Sequence, residues 1–275
     1  MGYLAYHFRV QPVQPGSEIL MALIADMDFE SFDTTERGFT AYIKEEEQSQ
    51  VNFSNFQFDD FTFNFTIEKI ATTNWNAEWE KNFEPVVVDD LLCIRAPFHE
   101  KNSVVKQEIV IMPKMSFGTG HHQTTRLMCK QLLETEVKDK RVLDMGCGTA
   151  ILAILAMQRG AKEVLGIDID EWSVENAIEN CAGNNFPNIV IKKGDVGLLE
   201  EEKQFDIILA NINKNILKSH LPAYSKKLPK GGKLFLSGFF GTDVEELIAV
   251  AEGSGLRFLN TRTENEWAML VLEKV

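Results

Sequence analysis

From residue 142 onward, short apolar runs of strand length alternate with amphipathic segments of helical length. The runs 142–145, 164–167 and 205–210 are rich in Val, Ile and Leu, and shorter runs at 189–192 and 233–237 predict two further strands. Strands of a parallel sheet have this composition because helices cover both faces of the sheet. Two later runs, 258–262 and 267–272, flank a short polar turn and predict a hairpin. The pattern therefore predicts a doubly wound α/β sheet of seven strands.

The first 70 residues have a different pattern. Residues 3–10 predict a strand, and the segment after Pro15 predicts a helix with one apolar face. A hairpin is predicted around Glu36 and Arg37, and residues 61–67 alternate with the period of a half-buried strand. A polar helix or loop that starts at Lys44 separates this hairpin from the strand at 61–67. The order βαββ(α)β predicts a small α+β ferredoxin-like domain over residues 1–70.

Aromatic residues mark the end of this domain and the segment that follows it. Six phenylalanines lie within residues 53–65 and indicate either the core of the small domain or an exposed aromatic binding face. Trp75, Trp79 and Phe83 are spaced four apart, so a short helix would carry all three on one face. This helix and the short strands after it predict a linker over residues 71–112. The large sheet is then assigned to residues 113–275.

Charge is distributed unevenly along the 275 residues. The net charge is −13, which argues against nucleic acid as a direct partner. Residues 1–85 hold 15 acidic against 5 basic side chains, a balance of −10, whereas the rest has a balance of −3. The acidic front part is explained either by solubility or by docking of a basic partner.

Other composition signals narrow the class of protein. No apolar run approaches the roughly 18 residues of a membrane span, and the start lacks the pattern of a signal peptide. The four cysteines form no C-x-x-C pair, which favours reduced thiols over a disulfide or zinc framework. The isolated histidines His7, His99 and His220 are interpreted as structural or surface residues. We therefore expect a cytoplasmic protein without a metal site.

The stretch 142–150 carries the first chemical signal. A strand ends near Asp144, turns on Gly146 and Gly148, and runs directly into a helix, whose free N–H groups are suited to bind a ligand. The dinucleotide pattern G-x-G-x-x-G fails because Ile151 follows three residues after Gly148, and no P-loop is present. The next strand ends in Asp168, an acid suited to the two hydroxyls of a ribose. These features suit a nucleoside that carries an amino acid, with Asp144, Gly146, Gly148 and Asp168 as its candidate contacts. The alternative is a plain βα turn without a ligand.

The pattern D-x-G-x-G-x-A at 144–150 resembles the D-x-G-x-G-x-G of class I S-adenosylmethionine-dependent methyltransferases, with Ala150 in place of the last glycine. The resemblance implies S-adenosyl-L-methionine as cofactor and a Rossmann-like sheet. Thr125, at the start of a helix after a glycine-rich loop, is a candidate for the methionine part. Asp195 either accepts the adenine amino group or is a surface residue. The loop's His121-His122 pair lacks the nearby partners of a metal site.

A second set of motifs resembles one family within this class. Residues 117–125 fit F-G-T-G-x-H-x-T-T, residues 166–170 read Gly-Ile-Asp-Ile-Asp, and Ala-Asn-Ile follows at 210–212. Together with 144–148 they resemble the bacterial methyltransferase of protein eleven of the large ribosomal subunit. The resemblance implies that the small domain binds the substrate protein, and that lysine and N-terminal amino groups are trimethylated. The implied cofactor contacts are Thr125, Gly146, Asp168 and Asn211.

Asn211 is the candidate catalytic residue. Methyl transfer to an amine needs a neutral amine that is held in line with the reacting bond, so orientation contributes most and a strong base is optional. The Asn211 side-chain oxygen is suited to accept an amine N–H; an ordinary turn residue is the alternative. Asn213 departs from the family, which often has an apolar residue there. Two other functions stay open: a methyltransferase of another amine or amide, although the N-P-P-Y pattern is absent, or an inactive acidic adaptor for a ribosomal protein.

Overall fold

The structure, a computed structural model, describes residues 2–25, 27–53, 56–70, 83–101, 105–114 and 116–275. The chain divides into two compact units, Met1–Asn82 and Phe83–Val275. The predicted aromatic helix around Trp75 and Trp79 lies outside the described residues. Within those residues, no helix combines the length and the apolar character needed to cross a bilayer.

The described part of the first unit consists of a four-stranded antiparallel sheet and one α-helix. Its elements are β1 (Tyr3–Gln11), α1 (Val13–Ile24), β2 (Ser31–Thr35), β3 (Gly38–Lys44) and β4 (Thr62–Ile70). The strand order is β2-β3-β1-β4, which agrees with the predicted ferredoxin-like domain. A 3-10 turn at Glu45–Gln50 replaces the second helix of that fold. The three consecutive glutamates at its start leave no apolar face on which a longer helix could pack.

The phenylalanine-rich segment belongs mainly to the core of this unit. Phe61 is buried, and four others of the six pack partly buried against the same core: Phe53, Phe56, Phe58 and Phe63. The Phe58 and Phe61 rings stack with their centroids 4.2 Å apart. Phe65 is 37% exposed, yet its ring centroid lies 4.9 Å from that of Phe53. Five of the six rings therefore lie in the core or pack against it, so the interpretation as core is confirmed.

The second unit contains the predicted seven-stranded sheet. Its strands are β8 (Arg141–Met145), β9 (Glu163–Asp168), β10 (Val190–Lys193), β11 (Ile207–Asn211), β12 (Lys233–Phe240), β13 (Leu256–Glu264) and β14 (Trp267–Lys274). The order is β10-β9-β8-β11-β12-β14-β13, and only β14 runs antiparallel to its neighbours. The flanking helices are α2 (Gln123–Glu134), α3 (Ile151–Gln158), α4 (Glu171–Gly183), α5 (Lys214–Lys226) and α6 (Val244–Gly253). The predicted fold class is confirmed.

A small three-stranded sheet precedes this fold in the chain. It consists of β5 (Val86–Val88), β6 (Leu92–Arg95) and β7 (Gln107–Val110). Leu92, Ile94 and Ile109 are at most 2% exposed and share one apolar cluster with α2 and α3. Asn184, the C-cap residue of α4, also bonds the backbone N–H and C=O of Val110. The described residues of 83–112, which the sequence assigns to a linker, therefore pack as part of the larger unit.

Candidate active site

The turn after β8 is built from three residues with positive φ. Gly146 and Gly148 have φ of 71° and 52°, and Ala150 has φ of 63°. The N–H groups of Gly146 and Cys147 both donate to the carbonyl of Ile167, at 2.8 and 3.1 Å. These bonds tie the turn to the end of β9. Positive φ is costly for residues with a Cβ, which explains the two glycines.

Asp168 connects the two neighbouring strand ends. Its Oδ2 accepts the N–H of Gly148 at 2.9 Å, and its Oδ1 accepts the N–H of Asp170 at 3.1 Å. A carboxylate has about four lone-pair sites, so both oxygens keep capacity for further donors. Asp168 is half-buried at the wall of a cleft. It is thus held rigidly by the backbone while it remains open to a ligand.

The cleft has a volume of about 380 Å³ and lies along the carboxyl ends of β8, β9, β10 and β11. Five of the predicted site residues line it: Gly146, Gly148, Asp168, Asp195 and Asn211. Ligands of open α/β sheets bind at this edge, where the strand order reverses. Here the order reverses between β8 and β11, and the cleft lies at that point. The structure therefore brings these five residues together.

Asp195 and His220 lie in the part of the wall that β10 and α5 form. The Asp195 side chain accepts the N–H of Gly197 at 2.8 Å and begins a 3-10 turn. His220, which the sequence suggests is structural, lines the cleft as well. Its Nδ1 lies 3.1 Å from the hydroxyl of Tyr224, a residue that is fully buried. Burial lowers the pKa of His220 and raises that of Tyr224 beyond its ordinary range, so both are neutral at pH 7.

Asn211 ends β11 at the centre of the cleft. Its Oδ1 is buried and has no hydrogen-bond partner in the structure. A buried amide oxygen without a partner costs free energy, so a ligand donor at this atom would be favourable. Asn213, the departure from the family, has a local role: its side chain accepts the N–H of Asn215 at 2.9 Å and caps α5.

Asp144 and Thr125, two further predicted contacts, do not line the cleft. Both are about 1% exposed. The Asp144 carboxylate accepts the N–H of Ala153 at 3.0 Å in the first turn of α3, and burial raises its pKa to about 7. The hydroxyl of Thr125 has no partner. In this structure, Asp144 stabilises the turn without lining the cleft, and Thr125 is buried away from the cleft.

The glycine-rich loop before α2 is attached to the turn. The carbonyl of Phe117 accepts the N–H of Thr149 at 2.9 Å, and the carbonyl of Gly118 accepts the Thr149 hydroxyl at 2.6 Å. A Cβ on Gly148 would lie 2.2 Å from the Phe117 carbonyl oxygen, so this approach requires glycine. The exposed ring of Phe117 thereby forms part of the cleft wall.

The two histidines of this loop have structural partners. His121 contacts the carbonyl of Glu84 at 2.9 Å, and His122 caps α2 through the N–H of Thr124. The ring of His122 packs against Phe117 and Trp267, with centroid distances of 5.2 and 4.6 Å. Across the described parts of the chain, no three His, Cys, Asp or Glu side chains come together as metal ligands would.

Sequence reasoning missed the aromatic and helical walls of the cleft. Besides Phe117 and His220, these walls include Trp172 and Ile216. One signal was available: Ile216 and His220 are four residues apart, so they share a face of α5. That α5 borders the cleft follows only from the strand order, which a single sequence does not reveal.

Comparison with known proteins identifies the family of this chain. The family model for ribosomal protein L11 methyltransferase matches residues 21–275. The chain belongs to this family. A ribosomal protein L11 methyltransferase of Phocaeicola vulgatus is 43% identical over 274 residues, and one of Porphyromonas gingivalis is 41% identical over 281 residues. Each comparison covers 98% of this chain and 97–98% of the relative.

A solved structure is similar as well. The ribosomal protein L11 methylase of Lactobacillus delbrueckii subsp. bulgaricus has a TM-score of 0.66 and 28% sequence identity. The match covers 70% of this chain and all of that one. The resemblance to the L11 methyltransferase family that the motifs indicated is therefore confirmed.

The backbone of this protein is strained at Ala150. This residue has left-handed geometry and is fully buried. A residue with a Cβ destabilises the folded state by about 1–2 kcal/mol in this conformation. Glycine avoids this cost, but it destabilises the folded state by about 0.5–1 kcal/mol because it loses more backbone entropy on folding. We expect Ala150→Gly to leave the free energy of unfolding unchanged or up to about 1.5 kcal/mol higher in urea titrations.

Ala150→Val is the matched comparison. A β-branched side chain both disfavours positive φ and overfills the site, so this variant should lose about 2 kcal/mol or more. A glycine variant that is less stable than the parent by more than about 1 kcal/mol would show that the alanine methyl group, and not its backbone geometry, dominates at this position.

Proposed function

We propose that this protein transfers methyl groups from S-adenosylmethionine to amino groups of ribosomal protein L11, namely lysine side chains and the N-terminal α-amino group. The family and its relatives are named for that protein, which supports the substrate. The observation that carries the reaction type is the buried, unpartnered Oδ1 of Asn211 in a cleft that Asp168 also lines.

The cleft residues fit this cofactor. The half-buried carboxylate of Asp168 has spare acceptor capacity for two ribose hydroxyls. A Cβ on Gly146 would lie 2.2 Å from the Cγ2 of Ile212, and one on Gly148 would meet the Phe117 carbonyl, so the turn stays narrow and its backbone accessible. Asp195, with one oxygen bound to Gly197, keeps the other for the adenine amino group. When bound, S-adenosylmethionine supplies an electrophilic methyl group.

Asn211 would align the amine. An amine N–H that donates to Oδ1 satisfies the buried oxygen and loses rotational freedom, which directs the nitrogen lone pair. The nearest histidine of the cleft, His220, forms a hydrogen bond with Tyr224 and lies on another element, so we assign no base to the reaction. The amine must then arrive neutral, which is easier for an α-amino group than for a lysine.

Thr125 and Asp144 have supporting roles in this proposal. The Thr125 hydroxyl is buried without a partner, so an acceptor on the methionine part would satisfy it after a small shift of the loop. Asp144 would act through the turn, because its carboxylate holds the start of α3. Both assignments rest on hydrogen-bond capacity and not on contact with the cleft.

The two alternative functions have less support. The segment 211–214 reads Asn-Ile-Asn-Lys and lacks the prolines and the aromatic residue that glutamine and adenine methyltransferases carry there. The one feature of the sequence that favours an inactive adaptor is Ala150, which stands in place of the last glycine of the motif. Its φ of 63° is one that glycine would also adopt, so the turn keeps the geometry that a third glycine would give. This favours an intact cofactor site.

One experiment separates these functions. The protein is incubated with methyl-labelled S-adenosylmethionine and total ribosomal proteins, and the labelled product is identified by mass spectrometry. We expect label on L11, at lysines and at the N-terminal amine. Label on another protein or small molecule would support the other methyltransferase, and no label at all would support the adaptor.

The first prediction concerns the ribose contact. Asp168→Ala should weaken cofactor binding by about 1.5–3 kcal/mol, the usual range for hydrogen bonds to a charged group. Asp168→Asn retains the volume and one acceptor oxygen, so it should lose less. Isothermal titration calorimetry measures both variants. Unchanged affinity in the alanine variant would remove Asp168 from the site.

The second prediction tests alignment by Asn211. Asn211→Ala should lower kcat by about 10²-fold or more, because a misplacement of about 1 Å can cost that much. Asn211→Asp should be slow at neutral pH and recover partly as pH rises toward the lysine pKa, since a carboxylate favours the protonated, unreactive amine. If the Asp variant is as fast as the parent at pH 7, a base at this position is tolerated and the neutral acceptor is the wrong description.

The third prediction concerns substrate docking by residues 1–82, which we propose on the −10 balance of residues 1–85. A fragment of residues 83–275 keeps the three-stranded sheet and its buried cluster, so it should fold and bind cofactor. It should methylate L11 poorly, and the KM of the full chain should rise with salt. Methylation of L11 by the fragment at the full rate would exclude docking through the first unit.

A further inference from the structure

A second cavity lies entirely within the first unit. It has a volume of about 490 Å³ and is formed at one end of the four-stranded sheet by β1, the turn between β2 and β3, and the start of β4. Residues 1–85 contain only two arginines, Arg9 and Arg37, and both line this cavity. Among the residues that the structure describes, no acidic side chain lines it.

The backbone explains why the two arginines meet. Arg9 lies opposite Gly38 in β3 and opposite Asn64 in β4, and the N–H of Val10 donates to the carbonyl of Arg37 at 2.9 Å. Because side chains alternate along a strand, Arg9 points away from the core that contains Phe8. Both guanidinium groups are exposed at the same end of the sheet.

These arginines differ from the lysines of the same unit. Lys44 pairs with Glu30 and Lys69 with Glu45, each with a nitrogen–oxygen distance of 2.5 Å. Neither arginine has a salt bridge or a side-chain hydrogen bond to any residue that the structure describes. Acidic side chains are abundant in this unit. It is therefore unexpected that neither of these two adjacent cations pairs with a described acidic side chain. Thr62, Asn64 and Gln11 add neutral side chains that can donate hydrogen bonds to the same cavity.

We propose that this cavity binds a phosphate dianion, either inorganic phosphate or a phosphomonoester. The planar fork of a guanidinium group matches two oxygens of a phosphate, and two such forks balance a charge of about −2. The neutral donors serve the remaining oxygen. The −10 balance of residues 1–85 repels a long polyanion, so a small anion is favoured over nucleic acid. The described residues that line this cavity differ from those that line the methyl-transfer cleft, so the proposal does not depend on the assignment of that cleft.

Titration of the full chain with inorganic phosphate tests the site, with calorimetry and amide NMR shifts as readouts. We expect one saturable site at pH 8, with shifts confined to residues 9–13, 37–38 and 62–64. The double variant Arg9→Gln/Arg37→Gln should weaken binding at least 10-fold. Lys69→Gln makes the same change of charge on the same unit and should alter affinity less than twofold. Thermal unfolding shows whether each variant is folded.

Three further measurements define the ligand class. Binding should weaken when pH falls from 8 to 5, because the dianion takes up a proton. Replacing both arginines with lysine keeps the charge but not the fork, so binding should be intermediate. Acetate that binds as tightly as phosphate, or a single-stranded RNA that binds more tightly through the same arginines, would overturn the proposal. So would the absence of saturable phosphate binding, or binding unchanged in the double glutamine variant.

Discussion

The hydrogen bond from the Gly148 N–H to the Asp168 carboxylate joins the ends of two adjacent parallel strands where the cleft opens. It exists only because β8 and β9 pair in register and because Gly148 accepts a positive φ. Around it, the bonds from Gly146 and Cys147 to Ile167 tie the same two ends together. The cleft thus has a rigid floor made mainly of backbone, and the side chains that differ in chemistry stand at its margins.

How far the sequence predicted this site depends on whether a residue's role is local. Gly146, Gly148 and Asp168 were predicted because a strand, a glycine turn and the next strand's last acid are readable from neighbouring residues. His220 and Phe117 were not, because their roles depend on which helix and which loop lie beside the turn in space. Asp144 was expected at the ligand, yet it bonds Ala153 from behind the turn. Its position near the end of β8 did not reveal on which side of the turn the carboxylate lies.

The fold also divides into elements that local sequence predicts and elements that depend on packing in space. Seven strands and their order of appearance followed from apolar runs, since parallel strands buried on both faces have a distinctive composition. Strands β5, β6 and β7 are three or four residues long, so their pattern resembled a linker. Only the packing of Leu92, Ile94 and Ile109 against α2 and α3 assigns them to the larger unit. In the first unit, a 3-10 turn and clustered phenylalanines follow β3. The spacing of hydrophobic residues did not predict this arrangement.

The left-handed geometry of Ala150 has a consequence for how such chains vary. Its φ of 63° excludes β-branched and bulky residues, and its complete burial excludes Asn and Asp, the polar residues that otherwise tolerate this conformation. Glycine and alanine are then the two residues that fit. A search pattern that requires a third glycine would discard this chain. A pattern that allows glycine or alanine at this position, as the geometry does, would retain it.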